Sequence, residues 1–375
     1  MELVTLARGY RDFYAPAYTV RLGRDDDLMR DLLVAVSQVE VDMELGKATR
    51  FSFTVTDCYS HKDRAFKTGR GADLLSLLAF GSEIEVGLGY GDAKSTPILA
   101  TGTITEISTN FPEAGAPELA VSGYDHGFLL TMGKSYRSWS NARDSDAVHE
   151  IAGFHHLDAR IETTKTSHAQ IEQNQESDWE FLKKLADRNH FELYMDERRT
   201  LHFIPPNNKA GAVVRLAYGE GLLSFKPEAN LAGQISQVEL YGWNPKTKKA
   251  FIGRASAGEE SGLDGKSAGQ HLNSLVRDPG KKPTLRLRQP VSSQAEADQR
   301  AKAALNERAT QFLTGEGETI GLPELRPDRN VALDKIGAFS KTYYLQQTTH
   351  KIDANGYRTR FKVKETGAKV KEKEQ

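Results

Sequence analysis

Across 375 residues the chain has one cysteine, Cys58. A single thiol can build neither a disulfide framework nor a cysteine-rich zinc module. Cys58 closes the strand-like run Arg50–Cys58 and reads there as a small buried hydrophobe, not a reactive thiol. An excess of either charge is missing as well. Fifty Lys and Arg face 51 Asp and Glu, a net charge of −1, which leaves no basic field for nucleic acid and no acidic tail for a basic partner. No apolar run reaches the ~18 residues needed to cross a bilayer. The opening Met1-Glu-Leu-Val-Thr-Leu-Ala-Arg8 has no positive segment followed by an apolar core, so no secretory signal is read. With 38% hydrophobic residues and little net charge, disorder is excluded. The expectation is a protein made in the bacterial cytoplasm, of about two or three domains, with a core that needs no staples.

What is present is pattern. From the start to about Asp125 apolar residues alternate, as in Val39, Val41, Met43, Leu45 and in Phe51, Phe53, Val55. Period two places successive side chains on opposite faces, so these are half-buried strands. Ala17–Leu22, Ser82–Leu88, Ile98–Ile107 and Glu118–Ser122 continue the series, and Ala72–Phe80 alone reads as helix. The middle third turns helical. Ala147, Val148, Ile151 and Ala152 mark a helix over Asp144–Phe154. Ser177-Asp-Trp-Glu180 is a capping box before the stripe Trp179, Leu182, Leu185, Ala186. Phe191–Met195 and Thr200–Ile204 flank a turn and predict a hairpin. The last third returns to strands at Val213–Ala217, Leu222–Phe225, Ile235–Tyr241, Ala250–Ala255, Phe312–Ile320, Asn330–Leu333, Thr342–Lys351 and Arg358–Lys364. A polar segment, 255–282, reads as a long loop. A second capping box, Ser293-Gln-Ala-Glu296, opens an Ala-rich helix over 293–310. The fold class is α+β, mainly β: two tube-like antiparallel β-barrel domains joined by a small α/β module. The boundaries are 1–124 and 207–366 for the β domains, 125–206 for the module and 367–375 for a charged tail.

Candidate chemistry is sparse. His149-Glu150 is followed by His155 and His156, but a zinc-binding helix needs its second histidine at i+4, and here it falls at i+6. These read as exposed imidazoles at a helix end, favoured there by the helix dipole. Gly87-Leu-Gly-Tyr-Gly91 and Gly315–Gly321 do not open helices, so they are turns or bulges and not phosphate cradles. Lys246, Lys248, Lys249, Lys281 and Lys282 sit in turns and read as solvated. No nucleophile elbow or paired-carboxylate pattern selects itself. Site residues are therefore expected to be none, whether catalytic, cofactor-binding or metal, and the protein is read as a non-enzyme.

Residues Ser293–Lys364, with the bend Gly321-Leu-Pro-Glu-Leu-Arg-Pro327 and the Tyr-rich return strand, resemble the C-terminal part of the phage late control gene D family. Asp328 stands where that family often has glycine. Gln175–Ala186, Ile235–Ala255 with its Gly-Trp-Asn-Pro-Lys-Thr turn, and Gly123-Tyr-Asp-His126 resemble further family segments in the same order. That family forms the central hub of contractile tails and the hub half of VgrG spikes.

The resemblance implies a homotrimer that adapts a hexameric inner tube to a trimeric spike. The implied partners are an inner tube or tube-initiator protein, a separate spike-tip protein and other baseplate proteins, with no cofactor, no nucleic acid and no membrane insertion. The implied location is an assembled phage-tail-like particle. The alternative is a baseplate-associated cell-wall hydrolase or glycan-binding tail protein.

Overall fold

A computed structural model describes residues 1–10, 13–23, 26–244, 248–260, 266–276, 278–291 and 293–366. The tail 367–375, Lys246 and parts of the 255–282 segment lie outside the described residues. Two compact units are present. The first comprises Met1–Pro206, Glu318–Asp328 and Gln346–Phe361; the second comprises Asn207–Gly317, Arg329–Leu345 and the chain from Lys362. Among the described residues no helix is long and apolar enough to cross a membrane.

In the first unit the alternating runs become β1 (Pro16–Leu22), β2 (Ala35–Glu44), β3 (Arg50–Thr56), β4 (Glu83–Tyr90), β5 (Ile98–Asn110) and β6 (Glu118–Asp125). They pair antiparallel in the order β1-β4-β5-β6-β3-β2. Register keeps apolar residues opposite one another, Val20 with Val86 and Val41 with Phe51. A one-residue slip would turn that whole face to water. Bulges between Val86 and Gly87 and between Ile104 and Glu106 bend the sheet around its core of Val39, Phe51, Phe53, Ile84 and Ile104. Tyr18 Oη donates to Val36 O at 2.6 Å, joining β1 to β2, and Leu28 N–H, in the connection between them, donates to Val20 O at 2.9 Å. The helix expected over Ala72–Phe80 is a single turn, Leu74–Leu77.

The α/β part follows. It contains α1 (Asp144–Phe154) and α2 (Asp178–Asn189), together with β7 (Ser135–Arg143), β8 (Asp158–Ile161), β9 (Ser167–Glu176), β10 (Glu192–Met195) and β11 (Thr200–Ile204). Strand β11 pairs with β10 antiparallel and with β8 in parallel. The capping box forms both ways: Ser177 Oγ accepts from Glu180 N–H at 3.2 Å and Glu180 Oε2 accepts from Ser177 N–H at 2.8 Å. The β7–β9 ribbon was not foreseen. Its strands bury mainly Trp139, Ile171 and Gln173, so no period-two apolar signal exists. Trp139 stacks on Phe181, with ring centroids 5.3 Å apart, and its Nε1 donates to Glu150.

The second unit adds β12 (Val214–Tyr218), β13 (Gly221–Ala229), β14 (Gln237–Asn244), β15 (Lys249–Ser256), α3 (Ala268–Leu275), β16 (Thr284–Arg288) and α4 (Gln294–Thr310). The late strands are β17 (Leu313–Ile320), β18 (Asn330–Asp334), β19 (Lys341–Asp353) and β20 (Gly356–Glu365). Six strands close on themselves in the order β19-β18-β12-β13-β17-β20 and back to β19. The antiparallel expectation holds for β18 with β19, whereas β12 runs parallel to both β13 and β18. The segment read as a loop contains α3, whose N-cap Ser267 and Gln270 form a capping box. Its polar, Gly-rich flanks hid that signal. At Ser293 the hydroxyl accepts from Glu296 N–H, while the Glu296 carboxylate pairs with Arg300 at 2.7 Å.

Helix α4 lies on the hairpin β14–β15 through small residues. Ala297, Ala301 and Leu305 pack against Val238, Leu240 and Ala255. Backbone approaches backbone most closely at Gly253, where an added Cβ would lie 2.1 Å from Ala297 O. Gly253→Val is expected to lower stability by about 3 kcal/mol in thermal unfolding, since neither backbone can yield cheaply. Gly211→Ala, which faces open space, should change it by less than about 0.5 kcal/mol.

Candidate functional site

The residues screened for chemistry are not brought together. His149 is exposed; His155 is half-buried, with Nε2 2.7 Å from Asp178 Oδ2. This corrects the reading of His155 as a solvated imidazole, whereas His149 and His156 are exposed as expected. Asp178 also accepts from Arg137 Nη1 at 2.7 Å and from Gln173 Nε2 at 2.8 Å. These partners hold its carboxyl below the usual range although burial, the largest single effect, opposes them. Cys58 is half-buried just beyond β3, its Sγ 3.0 Å from Thr56 O, and burial raises its pKa. Gly87 and Gly89 lie inside β4 at the bulge, where Thr19, Thr96 and Pro97 crowd them. Lys248, Lys249 and Lys281 are exposed. Among the described residues no group of three His, Cys, Asp or Glu is placed to hold a metal ion.

What the structure does build is a clasp around the bend 321–328, all within the first unit. The segment is irregular yet buried, with Leu322 and Leu325 fully enclosed. Its backbone polar groups must therefore find partners inside the protein. Gly321 N–H donates to Tyr357 O at 2.9 Å, and Gly321 O accepts from Tyr90 Oη at 2.8 Å. Leu322 N–H donates to Thr359 Oγ1 at 3.0 Å. Leu325 O accepts from His350 Nε2 at 2.8 Å. Arg326 donates to Ile98 O at 2.9 Å and pairs with Glu197 at 2.8 Å. Tyr10 Oη donates to Glu324 Oε1, and Tyr10, Phe13, Tyr90 and Tyr357 form an aromatic chain with centroids 5.1–5.8 Å apart. Glycine is required at 321, because a Cβ there would sit 1.9 Å from the Tyr357 ring.

Asp328 ends the bend at φ +61°, the left-handed region that glycine adopts without strain. This explains how aspartate fills a glycine-type position: short polar side chains tolerate that conformation best. Its Oδ2 lies 3.3 Å from Tyr194 Oη.

His350 is the polar centre of the clasp. A carbonyl oxygen can only accept, so the proton sits on Nε2, and Nδ1 accepts from Tyr357 Oη at 2.9 Å, with Thr359 Oγ1 at 3.1 Å. Burial lowers the imidazole pKa to about 3. The Leu325 bond opposes that shift and the charge of Arg326 adds to it.

A second buried group, Asp125 in Gly123-Tyr-Asp-His126, fixes the exit from β6. Its carboxylate accepts from Thr49 N–H at 2.7 Å and from Gly127 N–H at 2.8 Å. Burial nevertheless raises its pKa to about 7. Next to it Trp179 Nε1 donates to Gly46 O at 2.9 Å. Asp125 is 2% exposed, so its raised pKa cannot serve an external substrate. In the charged groove of ≈ 290 Å³ around β19 and β20, Glu318 pairs with Arg360 at 3.0 Å and Asp353 with Lys351 at 3.2 Å.

A family model described as Alg8 N-terminal domain matches residues 27–354. It is this family, not late control gene D, whose model matches. No curated protein matches the chain in sequence. Among solved structures the chain is similar to the 43 kDa tail protein of prophage MuSo2 from Shewanella oneidensis, at 14% identity and a TM-score of 0.69, covering 94% of this chain and 99% of that one. It is also similar to a tail protein from Neisseria meningitidis, at 16% identity and 0.66, covering 94% and 98%. A third likeness, at 13% identity and 0.53 over 95% and 77%, is to an Escherichia coli type VI secretion component described as structurally similar to bacteriophage tail proteins. These likenesses establish a tail-protein fold.

The two buried groups set opposite pH slopes. The folded pKa of His350 lies below its ordinary 6.5, so its contribution is complete above that value and is lost as pH falls toward 3. The folded pKa of Asp125 lies above its ordinary 3.8, so its contribution is present below that value and is lost as pH rises through about 7. In unfolding curves across pH, His350→Gln should flatten the acid limb and Asp125→Asn the neutral limb. Unchanged limbs in either variant would refute the assignment. At position 328, Asp328→Ala should be less stable than Asp328→Gly by about 1 kcal/mol, read by thermal unfolding.

Proposed function

This chain belongs to the Alg8 N-terminal domain family, and we propose that it is the structural central hub of a contractile tail or injection-system baseplate, of late control gene D type. The observation that carries the reading is the end-to-end likeness of fold to two tail proteins, which spans nearly the whole of each chain. The ordered motifs, from Gly123-Tyr-Asp-His126 to the clasped bend, support it. On this reading 1–124 and 207–366 are the two tube-like domains, 125–206 is the connector, and 367–375 is the tail. Three chains would present six tube-like domains to a hexameric inner tube or tube initiator and a trimeric face to a separate spike-tip protein. Other baseplate proteins surround it in an assembled particle.

The role is mechanical. A hub carries axial load from sheath contraction, and dense internal bonding of an irregular segment suits that role. No residue is assigned to catalysis or to a cofactor. The alternative, a cell-wall hydrolase, needs an accessible acid of raised pKa facing a second carboxylate. The raised acid here, Asp125, is sealed, and this weighs against that alternative.

Mass measurement in solution tests the proposal. Three chains of 41.6 kDa in one particle are expected, alone or on addition of spike protein, with no clearing of peptidoglycan. A monomer under both conditions, or lytic activity abolished by a carboxylate variant, would overturn it.

A further inference from the structure

We propose that the outer face of the β14–β15–β16 sheet docks an acidic, extended segment of another protein. Strict alternation divides this sheet. Val238, Leu240, Gly242, Gly253 and Ala255 face inward under α4, whereas Tyr241, Trp243, Ile252, Arg254, Arg286 and Arg288 face outward. Trp243, Tyr241 and Ile252 remain 53%, 39% and 38% exposed. Register brings Ile252 and Arg288 to either side of Tyr241, so the apolar strip is flanked by guanidinium groups. A groove of ≈ 510 Å³ runs beside it, lined by Tyr241, Gly242, Trp243, Arg288, Gln289 and Pro290.

Charge names the occupant. The whole chain is almost neutral, yet this face gathers Arg254, Arg286 and Arg288, and exposed Lys248 and Lys249 stand at the hairpin end. The carboxylate on the face, Glu239, is engaged by Tyr241 Oη at 2.9 Å and Arg286 Nε at 3.2 Å, and both bonds depress its pKa. Tryptophan, tyrosine and arginine are the side chains that supply most binding energy in protein interfaces. Strand β16 is an outer strand of its sheet among the described residues, so an extended segment can add its backbone there while its carboxylates meet the arginines. The inference stands independently of the hub reading.

Trp243 is its own reporter, because Trp139 and Trp179 are 8% and 6% exposed. The full chain is titrated with a capped, Glu-rich peptide bearing one central Phe and no Trp. Emission of Trp243 should shift to the blue and become shielded from acrylamide, less so at high salt. The double variant Arg254→Glu, Arg288→Glu should weaken binding at least about tenfold. Circular dichroism confirms that these exposed substitutions leave the fold intact. No shielding at millimolar peptide, equal shielding by single-stranded oligothymidine, or unchanged binding by the charge-reversed variant would each overturn the proposal.

Discussion

The buried bend at 321–328 imposes the constraint on which the first unit depends. An irregular segment offers no ladder for its own N–H and C=O groups, and an unmet buried group costs roughly 1–3 kcal/mol. The remedy draws in partners from far along the chain. Tyr10 and Glu324 are 314 residues apart, Tyr90 and Gly321 231, and Ile98 and Arg326 228. The first sheet is therefore completed only after nearly the whole chain exists, and β19 supplies its last strand along β2. Contacts so distant in sequence slow folding and bind the late segments into the early core.

That weaving explains which features could be read from sequence. Strands such as β2 and β3 bury one face only, so their alternation is visible in the sequence, and the run Arg50–Cys58 exceeds β3 by two residues. The Ser177 capping box announced α2 because two orphan N–H groups need those residue types at that spacing. Strands β7 and β9 bury one or two residues each and gave no signal. The bend was recognisable as a motif, but its reason was not, because the partners of Gly321 and Leu325 lie in other elements. His350 looked like one histidine in a strand. Its role depends on Leu325, Tyr357 and Thr359 meeting it in space. The same holds for Gly253, whose need for no side chain arises from α4 and not from its own strand.

The clasp also bears on function. Its polar groups are neutral or paired, enclosed, and directed at the backbone, which is the organisation of a joint and not of a reaction centre. His350 is kept deprotonated by burial, Tyr357 is held as a neutral phenol well above its ordinary range, and Arg326 is spent on a carbonyl and Glu197. A catalytic acid or base has to exchange protons with something outside. None of these three is exposed enough to do so.

Near-neutral composition conceals a local asymmetry. Fifty basic against 51 acidic residues excludes a protein that is basic overall, but an average says nothing about one sheet face. The turn lysines were read as solvated because sequence spacing shows only near neighbours. Register then places Arg286 and Arg288, some thirty to fifty residues further on, beside Tyr241 and Glu239. Since β14 is central and α4 covers the inner face, these arginines can only point outward, beside the aromatic residues. Pairing between β14 and β16 thus turns scattered charges into a basic strip. Charge concentrated in this way suits a contact surface, because electrostatic complementarity sets orientation and approach more than it sets net affinity.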